Sequence, residues 1–158
     1  MPLYIVRDNI AKMRVDAIVN LANTWPEVDN GIESIIYGAA GYNELLRTRK
    51  RVGVIHKGKA VVTSGFRLPA LSIIHTVAAK WDGGNWDEEK ILRQCIRTSL
   101  DEVVNLDYET AAIPFYSDGI LGFPKNIAID IVLEEIRSFV NDNDITVYLV
   151  VYDNEDLE

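Results

Sequence analysis

The chain has 158 residues, 48% apolar and 25% charged. That is one domain's worth, with enough apolar surface to bury a core without staples. Lys and Arg number 16 against 24 Asp and Glu, a net charge of −8. So acidic a chain is not expected to grip nucleic-acid backbones by general electrostatics, and anionic membranes repel it. A single cysteine, Cys95, rules out an internal disulfide. With no signal-peptide layout at Met1–Arg7 and no apolar run of membrane-spanning length, a cytoplasmic location is expected. The sequence does not set the oligomeric state.

Leu3 to Val6 and Val15 to Val19 are short apolar runs that predict strands. Buried parallel strands read as continuous apolar stretches rather than as alternation. A turn-rich segment from Thr24 to Gly31 follows, and Ile32 to Ala40 then has helical spacing, with Ile32, Ile35, Ile36 and Ala39 on one face. Arg47, Arg49, Lys50 and Arg51 form a basic run that reads as a solvated face. Ala60 to Thr63 and Leu71 to Val77 predict two more strands around a turn at Gly65–Pro69. Asp87 is placed to cap a helix from Glu88 to about Asn105. Ala111 to Tyr116 predicts a strand that runs into a loop with Gly119 and Gly122, and Pro124 opens a helix to about Val140. Ile145 to Val151 closes the sheet. Residues 1–152 are expected to form a single domain, with 153–158 a loose acidic tail. Alternating strands and helices predict an α/β fold with a largely parallel sheet and helices on both faces.

In open α/β sheets ligands bind at the carboxyl ends of strands. Two loops leave such ends here, one after Val19 and one after Tyr116. The glycines of the second suit a phosphate, although glycines before a helix are also plain turn chemistry. His75, in an apolar strand, reads as a satisfied structural histidine; His56, beside Lys57 and Lys59, reads as exposed. Cys95, on an apolar helix face, reads as core. Two distant histidines and one cysteine have no zinc-site spacing, so no metal or cofactor is expected.

Six segments in order resemble the macro domain family. Val15-Asp16-Ala17-Ile18-Val19-Asn20-Leu21-Ala22-Asn23 is similar to its VDAIVNAAN signature, and Ile36-Tyr37-Gly38-Ala39-Ala40-Gly41 to its IHRAAG helix. Thr63–Ala70 resembles TxGYxLPA, and Ile74-His75-Thr76-Val77 matches IHTV. Trp81, Gly83, Gly84, Glu89, Leu92, Cys95, Ser99 and Leu100 follow the pattern between that strand and the next helix. Ser117-Asp118-Gly119-Ile120-Leu121-Gly122-Phe123-Pro124 resembles STGIFGYP. The match runs from about Arg7 to Val151.

The resemblance implies a three-layer α/β/α fold around a central mixed, largely parallel sheet, with ADP-ribose or a derivative over the strand ends. It implies that Asn9 and Ile10 meet the adenine, Asn9 standing where the family has an acid. It places Ala22, Gly31, Ile32, Ser117, Asp118, Gly119, Ile120, Leu121 and Gly122 around the diphosphate and distal ribose. Asn23 would hold that ribose, or would tie its own loop. Glu33 stands where hydrolases of the family often carry an aspartate that orients water; equally, an acid in a first helical turn suits the helix dipole. The family's glycine run is reduced to Gly31 in Val28-Asp29-Asn30-Gly31, and Asp29 and Asp118 bring negative charge toward a diphosphate. At about 4 Å, two like charges cost roughly 4 kcal/mol at an effective dielectric of 20. Mg²⁺ held by Glu27, Asp29, Glu33 and Asp118 would turn that repulsion into binding. Hydrolysis of an ADP-ribosyl or O-acetyl-ADP-ribose ester, a non-catalytic ADP-ribose reader and a protein-interaction module are the three functions this pattern implies. If the length of Glu33 limits catalysis, Glu33→Asp is expected to raise it.

Overall fold

The computed structural model describes residues 2–117 and 119–153. In chain order it contains β1 (Leu3–Val6), a 3-10 turn (Ile10–Lys12), β2 (Ala17–Leu21), α1 (Ile32–Ala40), α2 (Tyr42–Val52), β3 (Ala60–Ser64) and β4 (Ser72–Thr76). Then come α3 (Glu88–Asn105), β5 (Thr110–Tyr116), α4 (Lys125–Asp142) and β6 (Thr146–Tyr152). The six strands form one sheet in the order β1-β6-β5-β2-β4-β3. Every neighbouring pair is parallel except β3 with β4, so the sheet is mixed and largely parallel.

Helices cover both faces. On one, Leu92, Ile96, Leu100 and Val103 of α3 and Ala128, Ile131, Val132 and Ile136 of α4 pack on Val19, Ile74, Ile113, Val147 and Leu149. On the other, Ile32, Ile36, Tyr37 and Ala40 of α1 and Leu45 of α2 pack on Ile18, Ile73, Ala112 and Val150. Alternate residues of each strand serve opposite faces, and so both faces of a central strand must be apolar. Truncating a fully buried side chain such as Leu92 would cost about 2–5 kcal/mol.

Three expectations change. The segment read only as a basic run is helix α2, and Arg49 within it is 2% exposed. Its helical period was masked because a cation occupies a core position. Asp87 makes no side-chain cap; it lies at φ 60 in the left-handed region. The loop before α3 is held instead by Glu88, whose carboxylate accepts from the N–H groups of Asp82, Gly84 and Trp86. Burial pushes that carboxyl up, but these N–H groups overcome it and hold Glu88 down at about 2. Asp153, the first residue of the segment read as a loose tail, pairs with Arg7 at 2.6 Å and accepts from the Ser117 hydroxyl, and the rest of that tail, 154–158, lies outside the described residues.

His56 is exposed, as read. Cys95 is buried in the core, its thiol donating to the Val77 carbonyl at 3.2 Å, and burial raises its pKa. Among the described residues no helix is long and apolar enough to cross a membrane.

Candidate functional site: a split between two central strands

β2 and β5 are neighbours but pair only at Ala17 with Ala111 and Ile18 with Ala112. Beyond that point β2 stays bonded to β4 as far as Leu21, and β5 to β6 as far as Tyr116, so the two strands part. Pro114, which has no N–H to offer a neighbour, borders the split. The chain leaves β2 toward the β3 edge and leaves β5 toward β6. Connections departing in opposite directions create the crevice in which α/β sheets place ligands.

The split holds a cavity of about 110 Å³ bordered by Asn20, Leu21, Ile32, Tyr116 and Leu121. A hollow of about 430 Å³ continues it past Leu21, Asp29 and Leu121 to Ala22, Asn23 and Lys57. A third, of about 320 Å³, lies among Arg7, Asp8, Asn9, Ile35 and Tyr152. The Tyr152 ring there is 6.5 Å from that of Tyr116 in the first.

Beneath the split runs a buried polar chain. One Glu33 oxygen accepts from the Asn20 amide at 2.7 Å and the other from the Asp29 N–H at 2.8 Å. The same Asn20 nitrogen is 3.2 Å from His75 Nδ1, and His75 Nε2 is 2.9 Å from Thr63 Oγ1. With Asn20 donating, Nδ1 accepts, so the ring proton sits on Nε2 and points to Thr63. Burial, then the positive charge of Arg49, lowers the His75 pKa to about 4, so the ring is neutral. Burial raises the Glu33 carboxyl, against the lowering by the Asp29 N–H and the Asn20 amide. His75 is thus a satisfied structural histidine, as its place in an apolar strand suggested.

Of the sequence-derived site residues, Asn9, Ala22, Asn23, Ile32, Glu33 and Leu121 border these hollows. Asn9 borders the third hollow but turns its side-chain oxygen onto the Ala11 N–H, capping the 3-10 turn. The Ile10 N–H donates to the Tyr152 hydroxyl at 2.7 Å. Asp8, which sequence reasoning passed over, lines the same hollow with an exposed side chain. Asn23 lines the far hollow and donates to the Glu27 carbonyl at 3.0 Å. Gly31 caps α1 at φ 88, and the Ile32 N–H donates to the Tyr116 hydroxyl at 3.1 Å. The φ of Gly31 explains why this one glycine of the loop is retained.

Of the described residues in the loop after β5 that the sequence singled out, Ser117, Gly119, Ile120, Leu121 and Gly122, it is Leu121 that borders the hollows. Ile120 is buried in the core beneath the loop rather than at the cleft surface. Leu121 lines two hollows at φ 51, and its carbonyl accepts from the Trp81 N–H. Asp118 lies outside the described residues. Asp29 is exposed at the rim of the cleft, where water screens it. Among the described residues no group of three or more His, Cys, Asp or Glu could hold a metal ion. Each Glu33 oxygen already accepts from a protein donor, which weakens its case as a ligand in the suggested Mg²⁺ set. Asn20 and Tyr116 were missed as site residues. A polar residue ending an apolar strand was the only signal for Asn20, and Tyr116 gave none.

The macro domain family profile matches residues 19–132. A Methanosarcina mazei protein named "Macro domain-containing protein" is 40% identical over 97% of this chain and 82% of its own length. An Escherichia coli K12 protein named O-acetyl-ADP-ribose deacetylase is 33% identical over 97% of this chain and 89% of its own. Among solved structures, an Oceanobacillus iheyensis macrodomain with ADP superposes with a TM-score of 0.87. It is 32% identical, covering 97% of this chain and 84% of that one.

Proposed function

Because this chain belongs to the macro domain family, we propose that it binds ADP-ribose along the split between β2 and β5 and hydrolyses an ester carried on the distal ribose. The observation that carries the reading is the parting of the two central strands under the first turn of α1. That helix start presents N–H groups and the positive end of its dipole, which suits a diphosphate. Leu121 borders the same hollows from the loop after β5, in which Gly119 and Gly122 take positive φ.

Along this line the adenine end occupies the hollow at Asp8, Asn9 and Ile10. Asp8 is the better acceptor for the adenine amino group: each side chain already accepts one local N–H, but Asp8 is an exposed carboxylate with further lone pairs, while Asn9 offers a neutral amide oxygen. The distal ribose reaches Ala22 and Asn23, with Leu121 as the apolar wall. Water attacking the ester carbonyl releases the acyl group as a carboxylic acid and leaves ADP-ribose. The catalytic contribution is positioning, with Asn23 holding the ribose. The similarity to proteins named O-acetyl-ADP-ribose deacetylase supports an acetyl ester as substrate.

One observation favours a second reading, a reader without turnover. Both Glu33 oxygens accept from the protein, one from the Asn20 amide and one from the Asp29 N–H, so this carboxylate that borders the cleft also serves to hold the loop.

A thermal-shift titration with ADP-ribose, with ADP and AMP as controls, tests binding. Ligand at about 100 times its dissociation constant adds about 2.7 kcal/mol of stability. A shift specific to ADP-ribose is expected, and its absence would overturn both readings in favour of an interaction module. Release of acetate from O-acetyl-ADP-ribose then separates hydrolase from reader.

A further inference from the structure

Of the four basic residues near the end of α2, Arg47, Arg49, Lys50 and Arg51, only Arg49 is buried. Its guanidinium donates to the carbonyl of Gly53 at the end of its own helix. It also reaches the first cleft loop, donating to the carbonyls of Asn23 at 2.8 Å and Thr24 at 3.1 Å. No carboxylate among the described residues pairs with it directly. A buried cation without a contacting anion is costly, so what it holds matters. Closing α2 alone needs no such burial, because an exposed cation near a helix C-terminus already suits the dipole. Two of the three bonds instead go to the residue that meets the distal ribose and to its neighbour.

Glu33 holds the other end of the same loop through the Asp29 N–H. The loop is therefore fastened at its entry by a buried cation from α2 and at its exit by a buried anion from α1. Each charge favours the ionised state of the other through space. Glycine would let the loop approach a ligand by backbone freedom, whereas here Val28-Asp29-Asn30 has none, and side chains fix the path instead.

We propose that Arg49 is a positioning residue of the cleft, acting with Glu33 to pin both ends of the Ala22–Gly31 loop and so to set Asn23 for the ligand. The ligand half of this statement rests on the proposed ADP-ribose binding; the loop half does not.

The test compares the intact chain with Arg49→Met, Arg49→Lys, Glu33→Gln and, as a charge control, Arg51→Met on the exposed side of the same helix. Amide hydrogen exchange is measured without ligand, and ADP-ribose affinity by calorimetry. Arg49→Met is expected to speed exchange at the Asp29 and Ile55 amides, the latter bonded to Thr24, at least tenfold while β4 and α3 stay protected. It is also expected to weaken ADP-ribose binding at least tenfold. Arg49→Lys should recover part of both effects, Glu33→Gln should speed exchange at Asp29, and Arg51→Met should change neither. Should Arg49→Met fail to fold, Arg49→Lys and Glu33→Gln carry the comparison. Unchanged loop exchange in the Arg49 variants overturns the proposal, as does a loosened loop with unchanged affinity. If the loop loosens in a protein whose parent binds no ADP-ribose, the pinning stands and the ligand reading falls.

Discussion

His75 links stability to pH in a calculable way. Its ring is 0% exposed, accepts from Asn20 and donates to Thr63, and its pKa is lowered from 6.5 to about 4 by burial first and by Arg49 second. In the unfolded chain the imidazole picks up a proton near 6.5, while the folded one resists until about 4. Across that window the unfolded state binds more protons, so stability rises with pH and is lost on acidification. At about 1.36 kcal/mol per pKa unit the full loss is about 3 kcal/mol, of which about 2 has gone by pH 5.

Glu33 works in the opposite direction, because its raised carboxyl favours the folded state as pH falls. Comparing the parent with His75→Gln, which keeps Glu33 and never charges at position 75, isolates the histidine. Urea unfolding at about pH 7 and about pH 5 should show the parent losing about 2 kcal/mol more than the variant. The variant itself starts about 1–3 kcal/mol lower from its broken hydrogen bonds. Imidazole carbon chemical shifts supply an independent reading. A ring that titrates near 6.5 in the folded protein, or identical losses in both chains, would refute the reasoning.

Glu33→Asp should lower ADP-ribose affinity and destabilise the fold by about 1–3 kcal/mol, rather than raise activity, since a shorter side chain cannot reach both the Asn20 amide and the Asp29 N–H. Chemical denaturation and calorimetry would check both effects, and a gain in turnover would restore the reach-limited view. Asn23→Ala should weaken ADP-ribose binding about tenfold while changing the melting temperature little, because its one side-chain bond is to an exposed stretch of its own loop. Gly65→Ala should cost about 1–3 kcal/mol in urea unfolding, since a Cβ there would sit 2.1 Å from the Ala70 carbonyl oxygen.

The sequence by itself determined the α/β class, the order of nearly all elements and the family. Those features depend on local periodicity and on motif strings that survive in one dimension. It also placed His75 and Cys95 inside, because each sits in an apolar stretch whose burial is obligatory.

What only the tertiary structure decided is which polar groups are left for a ligand once the protein has satisfied its own. Asn9 turns its side-chain oxygen inward to cap a turn, while the exposed Asp8 beside it accepts from the Asn9 N–H at 2.7 Å and borders the third hollow. Glu33 looks catalytic by position, yet it is bound on both oxygens by partners 4 and 13 residues away. Arg49 looks solvated by composition, yet it is buried to hold carbonyls 25 and 26 residues earlier. Hydrogen-bond partners are chosen by proximity in the folded chain, and a buried donor or acceptor left unpaired is expensive. The role of each polar residue was therefore fixed by contacts that no sequence period records.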